Sequence, residues 1–149
     1  MKISVIVRTY NRPELLKEAL VSIQLQTHTN WEVIIFDDSA SDINFSIYKD
    51  FKSQNPNNDV IYHTSNTPYD LFKNSWKIGA KLANGELIVR LDDDDLLVED
   101  TLEYLSNTYT HHTELDFSYG SAVFFENTTL QHISQTQTPL EAPKTKDLW

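Results

Sequence analysis

Apolar runs of strand length alternate along this chain with stretches whose apolar positions recur at helical spacing. Ile3-Ser4-Val5-Ile6-Val7 reads as a buried strand. Pro13 suits the first turn of a helix, and Leu16, Ala19, Leu20 and Ile23 then share one face. Trp31 to Phe36 is a second strand ending in Asp37-Asp38-Ser39, and a short helix covers Phe45 to Lys52. Asn55-Pro56-Asn57-Asn58 makes a turn before a third strand, Val60 to His63. Phe72, Trp76, Gly79 and Ala83 share a helical face, and Asn84-Gly85 stops that helix. Leu87 to Leu91 reads as a fourth, buried strand. Val98, Leu102, Leu105 and Tyr109 mark the next helix, with Glu99 and Asp100 near its positive end. Phe117 to Phe125 reads as a fifth strand. Beyond Glu126 the pattern fades into Thr, Gln, Pro and Lys. This alternation predicts an α/β fold with a mostly parallel sheet and right-handed crossovers.

Composition narrows the picture. The 149 residues suffice for one domain with a real core. With 22 acidic against 12 basic residues the net charge is −10, which argues against nucleic acid or anionic membrane as a partner. The absence of cysteine excludes disulfides, thiolate catalysis and cysteine-held metals. No apolar segment is long enough to span a bilayer, and no signal peptide is apparent, so a cytoplasmic location is expected. With only three glycines, turns fall to Asn, Asp, Ser and Pro.

The sharpest chemical signal is Asp92-Asp93-Asp94-Asp95, directly after the fourth strand. Four carboxylates crowded there repel one another unless a positive group sits among them, and a divalent cation on oxygen ligands is the candidate. Open α/β sheets also place their ligands outside the carboxyl ends of their strands. The plain alternative is helix capping by Asp95, which needs one aspartate and not four. An EF-hand would put Asp92, Asp94 and Glu103 at the first, third and twelfth loop positions, but Leu97 stands where the turn glycine belongs and Leu96 replaces a ligand. Phosphatase and receiver-type aspartate clusters would follow other strands.

Two further loops face the same edge. Arg8-Thr9-Tyr10-Asn11-Arg12 follows the first strand and could meet a base or a phosphate; alone, it reads equally as a polar turn. Asp37-Asp38 could accept from a uracil or a ribose, or could satisfy a turn's amides. Lys73 and Lys77 could reach a phosphate or simply be solvated. The five histidines show no metal spacing, with His132 held in reserve as a late ligand.

These pieces converge. Ile3 through Pro13, Gln26-Thr27 through Asp42, and Gly79 through Asp95 together resemble family 2 glycosyltransferases of the GT-A fold, over roughly the first 110 residues. The resemblance implies a Rossmann-like, three-layer α/β/α domain over residues 1–126, followed by an irregular tail over 127–149. It implies that Thr9 and Tyr10 line a nucleotide pocket with Tyr10 on or beside the base, with Arg12 in the same loop. Asp38 would accept from the base, typically uracil, with Asp37 supporting the loop and Asp93 near the ribose. Asp94 would bind Mn²⁺ or Mg²⁺, with Asp92 assisting directly or through water. Trp76 and Lys77 stand where the family often carries Arg-x-Asn-like residues; Lys77 is kept as a diphosphate contact. Family members usually continue for roughly another hundred residues, which supply much of the acceptor site and the general base. Glu126 is the stand-in candidate for that base.

The implied activity is metal-dependent transfer of a sugar from a nucleotide diphosphate, most simply UDP, to a saccharide, lipid or protein acceptor. It would be carried out alone, as a homo-oligomer or with a partner chain. The alternative is a UDP or nucleotide-sugar binding module, or a truncated remnant, with little transfer.

Overall fold

The computed structural model describes residues 1–39, 41–64, 70–120, 122–126 and 131–135, with the side chains at 70–73, 125–126 and 131–135 excepted. The chain divides into two compact units, Met1–His111 and His112–Trp149.

The first unit runs β1 (Ile3–Thr9), α1 (Pro13–Gln24), β2 (Trp31–Asp37), α2 (Asp42–Gln54), β3 (Val60–Thr64), α3 (Asp70–Leu82), β4 (Leu87–Asp92) and α4 (Thr101–His111). The four strands form one sheet in the order β3-β2-β1-β4. Every pairing is parallel, with Val5 opposite Val33 on one side and Val89 on the other. Period-2 alternation splits β1 and β2 between two faces. Ile3, Val5, Val7, Val33 and Ile35 pack beneath α1, α2 and α4 through Leu16, Leu20, Ile23, Phe51 and Leu102. Ile6, Ile34 and Phe36 face the other way, against Trp76, Ile78 and Leu82 of α3. The result is three layers, α/β/α. Each fully buried leucine or isoleucine in this core contributes about 1.5–3 kcal/mol.

Local sequence explains the helix ends. Pro13 opens α1. The Ser41 hydroxyl accepts from the Ile43 amide at 3.2 Å to cap α2, with Asp42 in the first turn and Lys52 in the last. At Gly79 an added Cβ would lie 2.6 Å from Ile6 Cδ1, so glycine lets α3 settle onto the sheet. Below it, the buried Glu32 holds the α3–β4 turn. Its carboxylate accepts from Lys2 Nζ at 2.8 Å, Ser4 Oγ at 2.6 Å and the Asn84 amide at 2.5 Å.

The chain builds outward from β1 to β3, and α3 then carries it back across the opposite face to β4. Strand order therefore reverses between β1 and β4. That switch point opens a crevice at their carboxyl ends, the usual ligand position of such sheets.

Several expectations need correction. Among the described residues β4 is an edge strand with Ile88 and Arg90 exposed, because only β1 pairs with it. The helix after the aspartates starts at Thr101, not beside Asp95, and Val98 is 72% exposed outside it. Its preceding segment is instead held to α1, through Ser22 Oγ to the Leu97 amide at 3.1 Å and Gln26 Nε2 to the Val98 carbonyl at 2.7 Å. The fifth strand expected over 117–125 is formed only at its end among the described residues, since 117–120 are not strand. In the second unit, β5 (Val123–Glu126) pairs antiparallel with β6 (Gln131–Gln135), a strand inside the stretch read as an irregular tail. Ser118 and Gly120 favour a turn over an extended run, and an extended apolar segment needs a partner for its backbone groups. The first compact unit ends at His111.

Candidate functional site

Three chain segments meet at the switch point, and β1 lies at their centre. The Thr9 carbonyl accepts from the Asp38 amide at 3.1 Å, and the Arg8 carbonyl accepts from the Asp93 amide at 3.2 Å. The sheet ladder thus continues into both acidic turns, one on each side of the β1 end. Asn11 then takes a φ of 52°, a left-handed value that asparagine tolerates, in the loop between Tyr10 and Arg12. Tyr10 is 57% exposed in this loop.

Arg12 returns over the aspartate run. Its Nε donates to Asp93 Oδ2 at 3.2 Å and its Nη2 to Asp93 Oδ1, while Nη1 reaches Asp94 Oδ2 at 3.0 Å. Asp93 is fully buried. Burial pushes its pKa up, partly offset by the nearby Thr9 hydroxyl and by Arg12. Asp92 lies opposite Arg8 in the β1–β4 register and accepts from Arg8 Nε at 3.0 Å and Nη2 at 2.7 Å, both on Oδ1. Its Oδ2 accepts from Arg90 Nη2 at 3.3 Å. Both guanidiniums lie over the ring of Trp76 on α3, Arg8 at 4.8 Å and Arg90 at 4.4 Å from its centroid. Burial also raises the pKa of Asp95, with Asp94 and Asp92 adding to it. The positive charge that the aspartate run demands is therefore supplied in part by arginines.

On the other side of β1, Asp37 and Asp38 have opposite characters. Asp37 is buried and saturated. Its oxygens accept from the Ser39 amide at 2.8 Å and hydroxyl, the Ser41 amide at 3.3 Å, Asn44 Nδ2 at 3.0 Å and the Tyr62 hydroxyl. Burial and this carboxylate together push the Tyr62 phenol well above its ordinary range. Asp38 is the reverse. Its Oδ1 is buried with no hydrogen-bond partner among the described residues, as are Asn44 Oδ1 and Ser75 Oγ; Thr9 Oγ1 has only the neighbouring Asp93 carboxylate beside it. Burial, then the neighbouring Asp37, raises the Asp38 pKa, with Arg8 opposing. Native proteins seldom leave buried polar atoms unmatched, so Asp38 Oδ1, at the rim of the crevice, calls for a water or a polar ligand.

Among the described residues no three metal-ligating side chains converge. An all-protein cage would need such a cluster, whereas a cation shared by one or two carboxylates with substrate phosphates would not. Asp94 suits the role, since its side chain is 51% exposed and takes a single arginine contact. Asp92 suits it less, because both of its oxygens already accept from guanidiniums.

Thr9, Arg12, Asp38, Asp92, Asp93 and Asp94 are thus brought to one edge, with Asp37 beneath them. Lys77 is exposed on α3, and among the described residues the cations that reach the aspartates are Arg8, Arg12 and Arg90. Glu126 ends β5 in the second unit; its side chain, like those of Lys73 and His132, lies outside the described residues. The described histidines have local roles: His28 with the Met1 carbonyl, His63 edge-on to Phe36, His111 with the Asn107 carbonyl and His112 beside Glu114. Sequence reasoning assigned no role to Arg90, Tyr62 or Asn44, and took Arg8 only as part of the loop after the first strand. The spacing of Arg90 and Asp92, two apart on one strand face, was the available signal for one of them.

Known proteins resemble this chain in sequence and in fold. The profile of Glycosyl transferase family 2 matches residues 4–148. A GalNAc(5)-diNAcBac-PP-undecaprenol beta-1,3-glucosyltransferase of Campylobacter jejuni is 38% identical over 70% of this chain and 33% of its own length. The putative teichuronic acid biosynthesis glycosyltransferase TuaG of Bacillus subtilis is 27% identical over 93% of this chain and 50% of its own. Residues 1–349 of S. aureus TarS in complex with UDP superpose with a TM-score of 0.63 at 26% identity, over 76% of this chain and 33% of that one. The mannosyltransferase PcManGT of Pyrobaculum calidifontis, solved with GDP-Man and Mn²⁺, shares the fold with a TM-score of 0.65 at 22% identity, over 86% of this chain and 36% of that one. The chain spans between a third and a half of the length of these relatives. It belongs to glycosyltransferase family 2 and has the GT-A fold.

Proposed function

We propose that this chain binds a nucleotide diphosphate-sugar, of the UDP type, together with a divalent cation, and forms the donor-binding part of a sugar transferase. The observation that carries the reading is the buried, unmatched Asp38 Oδ1, with the Thr9 hydroxyl near it, on the rim that also bears the aspartate run. An acceptor that is buried and unmatched suits the N–H of a base, and a hydroxyl suits a base or ribose oxygen. UDP bound to the related TarS supports the choice of nucleotide.

Each residue then has a task. Tyr10 offers an exposed ring to the base, and Asp38 accepts from it. Asp37, saturated by its own turn, fixes the position of Asp38. Asp93 lies toward the ribose, and Arg12 is within reach of a phosphate. Asp94, with Asp92 through water, would hold Mn²⁺ or Mg²⁺. A cation there offsets the charge that develops on a departing diphosphate. The acceptor is a saccharide, lipid or protein hydroxyl deprotonated by a carboxylate base; Glu126 is the candidate for that base. Lys77 is a secondary candidate for the diphosphate.

Calorimetric titration with UDP in the presence of Mn²⁺ tests this. Asp38→Asn and Thr9→Val should each weaken binding about tenfold, the loss of one hydrogen bond to a buried group. Wild-type affinity in both variants would refute the assignment. A second reading is a nucleotide-sugar binding module with little turnover. Donor turnover separates the two: release of UDP from a UDP-sugar with an acceptor or water supports transfer, and binding without release supports a binding module.

A further inference from the structure

Arg12 holds two carboxylates of unequal kind. Its Nε and Nη2, one edge of the guanidinium, grip Asp93, whose side chain is fully buried. A broken pair there would strand a buried charge. Nη1, at the opposite corner, makes one contact with the exposed Asp94 at 3.0 Å. Contacts of that exposure are weak. The fork can therefore stay seated on Asp93 while Asp94, on its exposed turn, swings free.

We propose that Arg12 is a resident counter-cation on Asp94 that makes the divalent cation and the nucleotide diphosphate bind only together. This rests on the functional reading above. With Nη1 against Asp94 Oδ2, a dication that seeks the same carboxylate meets a fixed positive charge a few ångströms away. The metal ion alone is then a poor match for the site. A diphosphate changes the balance. Its oxygens accept from the released Nη1 and complete the coordination that one carboxylate leaves open. Arg12 is thus a positioning residue that sets the order and coupling of binding, beyond its part as a phosphate contact.

The test is binding of Mn²⁺ alone, read as loss of the free-ion electron paramagnetic resonance signal, repeated with saturating UDP. Wild type should bind Mn²⁺ weakly alone and far more tightly with UDP. Arg12→Gln should bind Mn²⁺ alone roughly tenfold more tightly, with a correspondingly smaller gain from UDP. Arg12→Lys keeps a charge beside Asp93 but cannot span both carboxylates, so it should fall between; it also carries the test if the glutamine variant fails to fold. Equal Mn²⁺ affinity in wild type with and without UDP would overturn the inference. So would variants that bind Mn²⁺ alone as wild type does, while UDP binding to wild type stays intact and leaves the functional reading standing. A wild type that binds no UDP under any condition would sink both.

Discussion

Glu32→Gln is a sharp probe of how this fold supports its site. Glu32 lies at the amino end of β2, opposite Ser4, with no exposed side-chain surface. Burial alone would raise its pKa. Lys2, the Ser4 hydroxyl and the Asn84 amide outweigh that and draw it from an ordinary 4.5 down to about 2. The folded state thus favours the carboxylate more than the unfolded chain does. The difference corresponds to about 3 kcal/mol. That stability is complete above pH 4.5 and is lost as pH falls through 2. Urea unfolding followed by circular dichroism at stepped pH measures it. At neutral pH the variant should be about 3 kcal/mol less stable, a midpoint shift of roughly 1–2 M urea. The gap between the two proteins should close as the pH approaches 2, where the wild-type carboxyl is protonated and resembles the amide. A gap that stays constant across the acid range would show that the charge on Glu32 does not hold the α3–β4 turn.

Other expectations follow from the same geometry. In Gly85→Ala the new Cβ would lie 2.6 Å from the Ser4 amide nitrogen and 2.9 Å from the Lys2 carbonyl. Backbone cannot yield cheaply there, so a loss of about 1–3 kcal/mol is expected, and an unchanged thermal midpoint would contradict it. Tyr62→Phe removes one donor from the buried Asp37. It should cost about 1.5–3 kcal/mol in chemical unfolding and weaken UDP binding by loosening Asp38; full-strength UDP binding would separate the Asp37 brace from the pocket. Leu20→Ala empties the contact of α1 with the sheet. It should cost about 2–5 kcal/mol by denaturant melt without changing which nucleotide binds.

Much of the first unit is legible from periodicity, because its strands obey one rule on both faces. Ile3, Val5 and Val7 and the helical set Leu16, Ala19, Leu20 and Ile23 meet as their spacing implies. Gly79 and Gly85 sit where helix and turn approach β1 too closely for a side chain. What stayed hidden depends on contacts across the sheet. Arg8 and Asp92 are 84 residues apart, and only the parallel register of β1 and β4 makes them neighbours. The contacts of Arg8 and Arg90 with the Trp76 ring likewise need α3 on the face opposite α1. The late start of α4 follows from contacts of Leu97 and Val98 with Ser22 and Gln26, polar side chains that no apolar pattern records. The pairing of β5 with β6 escaped notice because a two-stranded ribbon need not bury a face, so β6 lacks strong alternation. Of the site, the acidic turns and the loop after β1 could be found from sequence. Which carboxylates are braced and which are free could not, since Asp37 and Asp38 differ only in what surrounds them.

A crystal grown with UDP and Mn²⁺ tests the central claim most directly. The account predicts the uracil between Tyr10 and Asp38, the diphosphate across the carboxyl ends of β1 and β4, and the metal on Asp94 with Arg12 still seated on Asp93. A nucleotide bound elsewhere, or at this edge with Asp38 and Asp94 both untouched, would contradict it.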